Sequence, residues 1–101
     1  MKADQVRNYF LSCPEAIEDF PFGNEVHVFK IREKMFGFLA YREGFARVNL
    51  KCDPDEAIML RRRFESVIPG YHMNKIHWNT VVLDGTIPSD EIEVMIENSY
   101  D

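Results

Sequence analysis

Residues 26–51 read VHVFKIREKMFGFLAYREGFARVNLK, and this stretch decides the fold class. Val26, Val28 and Ile31 open a run rich in β-branched and aromatic residues that breaks at Glu33-Lys34, and Met35 to Tyr41 supply a second run. Two such runs across a short polar break predict a β-hairpin. Arg42-Glu43-Gly44 is the next turn signal, followed by a third strand from Phe45 to Leu50. There Phe45 or Ala46, Val48 and Leu50 alternate with Arg47, Asn49 and Lys51, giving one apolar face and one basic, polar face. The spacing predicts a three-stranded antiparallel meander with one packed face and one wet face.

Working outward, Val6, Tyr9, Phe10 and Cys13 recur at the three- and four-residue steps of a helical face, so a helix is expected over 4–12, stopped by Pro14. Between Glu15 and Glu25 the residues Pro14, Pro21, Gly23 and Asn24 break any period, and Asp19-Phe20-Pro21-Phe22-Gly23 reads as a pinned loop with two buried aromatics. Downstream, Asp53-Pro54-Asp55-Glu56 is a helix start: Asp53 suits the N-cap, Pro54 the first turn, and Glu56 the return bond of a capping box. A helix is expected from Pro54 to about Ser66, burying Ala57, Leu60, Phe64 and Val67, with Pro69-Gly70 ending it. Trp78 to Leu83 reads as a strand closed by Asp84-Gly85, and Ser89 as the cap of a last helix burying Ile92, Met95 and Ile96. The order α-β-β-β-α-β-α lacks β-α-β regularity. It predicts an α+β, two-layer sandwich: an antiparallel sheet with helices packed on one face.

A length of 101 residues and an apolar fraction of 46% imply one folded domain over 1–101 with a single core. No apolar run approaches the roughly 20 residues of a membrane span, and the N-terminal residues carry no secretory h-region, so the expectation is a cytoplasmic protein without membrane association. The net charge of −5 opposes a role dominated by nonspecific phosphate binding. That average conceals an asymmetry: residues 1–29 hold two basic and five acidic side chains, residues 30–77 ten and six, and residues 78–101 none and six. A basic middle is flanked by acidic ends, and folding decides whether it becomes a patch. Cys13 and Cys52 belong to no CxxC or Cys/His spacing and read as reduced, half-buried thiols. A monomer without a cofactor is expected.

Several blocks appear in order: Asp19-Phe20-Pro21-Phe22-Gly23, Val48-Asn49-Leu50-Lys51-Cys52-Asp53-Pro54, Pro69-Gly70-Tyr71-His72-Met73-Asn74-Lys75 with His77-Trp78-Asn79-Thr80, and Leu83-Asp84-Gly85. Together they span nearly the whole chain, and the chain resembles the MmcQ/YjbR family. The resemblance implies a compact α+β domain related to the frataxin-like (CyaY-like) and secretion-chaperone-like groups, with a DNA-binding, double-wing label and no catalytic mechanism to carry over. Ile76 stands where family members commonly have Lys, which removes a positive charge beside Lys75.

The block from Gly70 to Thr80 concentrates charge, hydrogen-bond donors and an aromatic ring. On a nucleic-acid reading Lys75 meets a phosphate, Asn74 or Asn79 adds a polar contact, and Trp78 stacks on a base. The structural alternative makes Trp78 a core residue, has both asparagines satisfying a turn, and gives His77 the task of holding the loop. Arg47 and Lys51 share the wet face of their strand, where Lys30 or Arg32 can join them; Arg61 to Arg63 complete the basic set. The resulting surface, Arg47, Lys51, Asn74, Lys75, His77 and Asn79, suits a non-enzymatic module that binds nucleic acid or, alternatively, a protein partner as an adaptor. A zinc site assembled from His72, His77, Cys52 and Asp84 lacks metal-ligand spacing. A Cys52 nucleophile has no marked base, although a helix start nearby lowers thiol pKa values. His72 and His77 as an acid-base pair remain a third reading.

Overall fold

The computed structural model describes every residue except Glu43 and His72, and Arg42 by its backbone alone. Among the described residues the elements run α1 (Ala3–Ser12), β1 (Ile17–Asp19), β2 (Val26–Ile31), β3 (Lys34–Arg42), β4 (Phe45–Lys51), α2 (Pro54–Arg63), β5 (Val67–Pro69), β6 (Trp78–Val82) and α3 (Ser89–Tyr100). The strands form one sheet in the order β1-β2-β3-β4-β6-β5, antiparallel throughout. The helices pack on one side, so the chain is an α+β domain with the expected meander at its centre.

Two short edge strands add to the expected order. β1 lies in the segment read as a loop, because three residues are too few to display a period. β5 replaces the end of the expected second helix. That helix stops at Arg63, since Phe64 is already extended (φ −126°, ψ 124°), and Val67 is buried by pairing with Val81 rather than by a helical face. Local capping also departs from expectation. Asp53 holds the N-cap position and Pro54 the first turn, but the Asp53 side chain caps nothing, and Glu56 accepts a 2.9 Å hydrogen bond from Asn98 of α3 instead. Pro88, not Ser89, precedes the first turn of α3. The expected Arg42-Glu43-Gly44 turn involves Glu43, outside the described residues.

Strand alternation divides the core. Toward the helices point Phe29, Leu39, Ala46, Val48, Leu50, Val67 and Val81, which meet Val6 and Phe10 of α1 and Ile92, Met95 and Ile96 of α3. Phe10 is the centre of this packing: its ring stacks on Phe29 at 4.2 Å and meets the edge of Phe36 at 5.5 Å. Gly37 lies beneath that ring, and a Cβ there would sit 2.4 Å from two of its carbons. A bulge makes the arrangement possible. The register steps from Phe29↔Gly37 to Lys30↔Met35 and leaves Phe36 as the extra residue, so both Phe36 and Gly37 face the helices while Met35 and Phe38 face the opposite side.

The β2–β3 hairpin closes through Arg32 (φ 49°) and Glu33 (φ 69°), both left-handed, as in a type I′ turn. Neither side chain favours that region. Glu33→Gly is expected to raise stability by about 0.5–1 kcal/mol in urea unfolding, because glycine adopts positive φ without steric cost; an unchanged or lower midpoint would contradict the strain.

Candidate functional site

The sheet face away from the helices carries a second, smaller core. Val28, Phe38 and Trp78 are buried there, with Val26, Met35 and Met73 packed around them. Phe38 and Trp78 stack at 5.4 Å, and Phe22 meets the edge of Phe38 at 6.3 Å. Trp78 is 8% exposed, so its ring supports the sheet and offers no free face to a ligand. The expected wet face is therefore apolar at its centre, because β2 and β3 contribute Val26, Val28, Met35 and Phe38 to it.

Beside this cluster runs a groove of about 510 Å³, within the size range of small-ligand sites. Phe22, Val26, Met35, Phe38 and Met73 supply its apolar wall, and Arg47, Asn49, Tyr71 and Thr80 its polar part. The polar part is fixed by the sheet. Asn49 of β4 and Thr80 of β6 are register partners, the Thr80 hydroxyl donates to Asn49 Oδ1, and it accepts the Tyr71 backbone N–H at 2.9 Å. Asn49 Nδ2 reaches the Tyr71 carbonyl at 3.5 Å. These bonds tie Tyr71 to the sheet and hold it, 38% exposed, in the lining of the groove, to which Phe22, 65% exposed, also belongs. Tyr41 and Phe45 are further exposed aromatics at the end of the β3–β4 hairpin.

The sequence-derived site residues do not form one surface. Arg47 is half-buried in the groove. Lys51 is on the same face but opposite Trp78, and with His77 and Lys34 it lines a separate depression beside the end of α3. Asn74 makes a tight turn, its Oδ1 accepting the Ile76 N–H at 2.8 Å, and Lys75 folds back so that Nζ donates to the Gly70 carbonyl at 3.1 Å. His77 is exposed, and its carbonyl accepts the Cys52 N–H at 2.8 Å. Asn79 leaves the set: it points toward the helices, is 2% exposed and donates to the Ala57 carbonyl at 3.1 Å, since β6 turns Trp78 and Thr80 outward and Asn79 and Val81 inward. Phe22, Met35, Phe38, Asn49, Tyr71, Met73 and Thr80 were not singled out by spacing. For Asn49 a signal existed, since it alternates in phase with Arg47.

The basic middle of the chain does not converge either. Lys30 pairs with Asp19 at 2.9 Å, Arg32 with Glu15 at 3.5 Å and Arg63 with Glu91 at 2.7 Å, while Arg61 donates to the carbonyls of Ala57 and Lys75, each at 3.2 Å. Burial, aided by the Glu56 carboxylate, pushes the Cys52 thiol up to about 11, opposite to the lowering that a helix start would give. Cys13 is also raised, chiefly by burial. Asp84 is held below the usual carboxylate range by hydrogen bonds from Thr86 and Ser66, which mark it as a turn residue. Among the described residues no three His, Cys, Asp or Glu side chains gather as a metal site; His72 lies outside them.

The likenesses to known proteins agree with this architecture. The chain is 30% identical over 100 residues to YjbR of Escherichia coli K12, spanning 99% of this chain and 85% of that protein. It is 47% identical over 53 residues to YyaQ of Bacillus subtilis, which covers 52% of this chain and 44% of YyaQ. The crystal structure of a Deinococcus radiodurans protein with a DUF419 domain superposes with a TM-score of 0.89 at 35% identity, over 98% of this chain and 75% of that one. A Pseudomonas syringae protein superposes at 0.85 with 28% identity, over 98% and 96%. Residues 11–101 match the YjbR family model, and the chain belongs to the YjbR family.

Proposed function

We propose that this protein is a non-enzymatic binding module whose open sheet face receives the bases of a single-stranded nucleic acid. The observation that carries the reading is the groove whose lining holds Phe22 and Tyr71 together with Arg47 and Asn49. Exposed rings on a sheet stack on bases of any sequence, contributing roughly 1–3 kcal/mol per base, and Asn49 supplies hydrogen bonding beside them. Stacking rather than charge has to provide the affinity, because the chain carries −5 and Lys30, Arg32, Arg61, Arg63 and Lys75 of its basic middle are engaged within the fold. The high thiol pKa of Cys52 suits a role without nucleophilic chemistry. Two free cysteines suit a reducing cytoplasm, and no helix among the described residues is long and apolar enough to cross a membrane. The frataxin-like grouping implied by the resemblance belongs to this proposal and is supported by helices on one face of an antiparallel sheet.

Anisotropy of labelled short oligonucleotides tests it. Single strands are expected to bind with a shallow salt dependence, a slope of about −0.7 per cation engaged. Phe22→Ala and Tyr71→Ala should each weaken binding roughly 5- to 100-fold, and Arg47→Ala should weaken it and flatten the slope. Absence of binding at low salt, or losses confined to variants at Arg61, Arg62 and Lys75, would overturn the assignment.

A further inference from the structure

The helical layer presents a second surface, on the side opposite the groove. α2 and α3 lie side by side and antiparallel, joined by Arg63–Glu91 at one end and Glu56–Asn98 at the other. Helical spacing then fixes what faces solvent. With Ala57 and Leu60 inward and Glu56 and Arg63 toward α3, the outer crest of α2 is Asp55, Met59 and Arg62. With Ile92, Met95, Ile96 and Ser99 inward, the outer crest of α3 is Asp90, Val94, Glu97 and Asp101. Each crest therefore carries one exposed apolar residue, Met59 (66% exposed) and Val94 (50%), and Ile58 (45%) lies on the flank of α2. The charges are segregated: α2 ends in Arg61, Arg62 and Arg63, whereas the chain from residue 78 onward has six acidic side chains and no basic one.

A two-fold interface must be complementary to itself, because each patch meets its own copy. Arg62 on the α2 crest and Asp90 on the α3 crest, each crest with one exposed apolar residue, satisfy that requirement. We propose that the outer α2–α3 face pairs with the same face of a second copy of this chain, about an axis running along the helices. α2 of one protomer then lies antiparallel on α3 of its partner. This sets Arg62 at the level of the acidic first turn of the opposing α3 and closes Met59 over Val94. Asp55 falls at the other end, near the level of Asn98, where a modest like-charge contact with Asp101 opposes pairing. Both grooves remain outward and free, so this pairing stands apart from the nucleic-acid reading.

The test is a charge exchange followed by sedimentation or light scattering, with circular dichroism to confirm that the exposed-site variants fold. The unsubstituted chain is expected to associate to a dimer in a concentration- and salt-dependent way. Arg62→Glu alone and Asp90→Arg alone should each be monomeric, because each opposes like charges twice across the axis. An equimolar mixture of the two should recover a one-to-one dimer, since both crossed contacts are again between opposite charges. A chain that stays monomeric over the whole concentration range, variants that dimerise as the parent does, or a mixture that fails to pair would each overturn the proposal.

Discussion

Phe10→Ala is expected to lower the unfolding free energy by about 3–5 kcal/mol, a large share of the roughly 5–15 kcal/mol that holds a domain together. Phe10 is fully buried, stacks on Phe29 and meets Phe36 edge-on, so alanine removes the ring that joins α1 to three positions of the sheet. The bulge at Phe36 leaves no aliphatic side chain to refill the space, because the position directly beneath the ring is Gly37. That close approach gives the measurement an internal control. Gly37→Ala in the parent overpacks the ring and should cost about 1–3 kcal/mol, whereas in the Phe10→Ala background the added methyl has room and its cost should largely vanish. Urea unfolding of the four proteins reads the cycle. A Phe10→Ala loss below about 1 kcal/mol, or a Gly37→Ala cost equal in both backgrounds, would mean that this contact is not central to the core.

The second large effect is expected at acid pH. Glu18 of β1 accepts two hydrogen bonds from Arg7 of α1, each at 2.7 Å, and His27 Nδ1 lies 2.7 Å from the same carboxylate. Its side chain is only 13% exposed. The Arg7 hydrogen bonds, opposed by burial and reinforced by His27, hold its pKa at about 2 rather than the ordinary 4.5. A carboxyl depressed in the folded state contributes stability that is complete above its unfolded pKa and disappears as pH falls through the folded value. The bonded carboxylate therefore adds stability at neutral pH that is lost between about pH 5 and pH 2. Glu18→Gln should be less stable than the parent at pH 7 and should converge with it near pH 2. Parallel pH curves for the two proteins would place the acid sensitivity elsewhere.

The meander, α1 and α3 were legible because each repeats its apolar residues over enough positions to reveal a period, as Ala46, Val48 and Leu50 do in β4. β1 and β5 escaped because a three-residue strand has no period of its own and is defined by its partner. The site was harder for a related reason. Asn49, Tyr71 and Thr80 are brought together by the pairing of β4 with β6, across the whole of α2, and Phe22 joins them by packing on Phe38 of β3; local spacing carries no record of either contact. Arg47 was recoverable from alternation alone. Asn79 was not, because its neighbours Trp78 and Thr80 share a single motif with it while β6 sends it to the opposite face. Lys75 looked like a phosphate contact by residue type, and the carbonyl of Gly70 occupies it.

Amide chemical-shift mapping during titration with a short single-stranded oligonucleotide distinguishes the proposed binding on the open sheet face from binding elsewhere. Perturbations are expected to concentrate at Phe22, Val26, Ala40, Arg47, Asn49, Tyr71 and Thr80, with α2 and α3 unmoved at ligand saturation. Perturbations confined to Arg61, Arg62 and the 74–77 loop, or no perturbation at all, would contradict it.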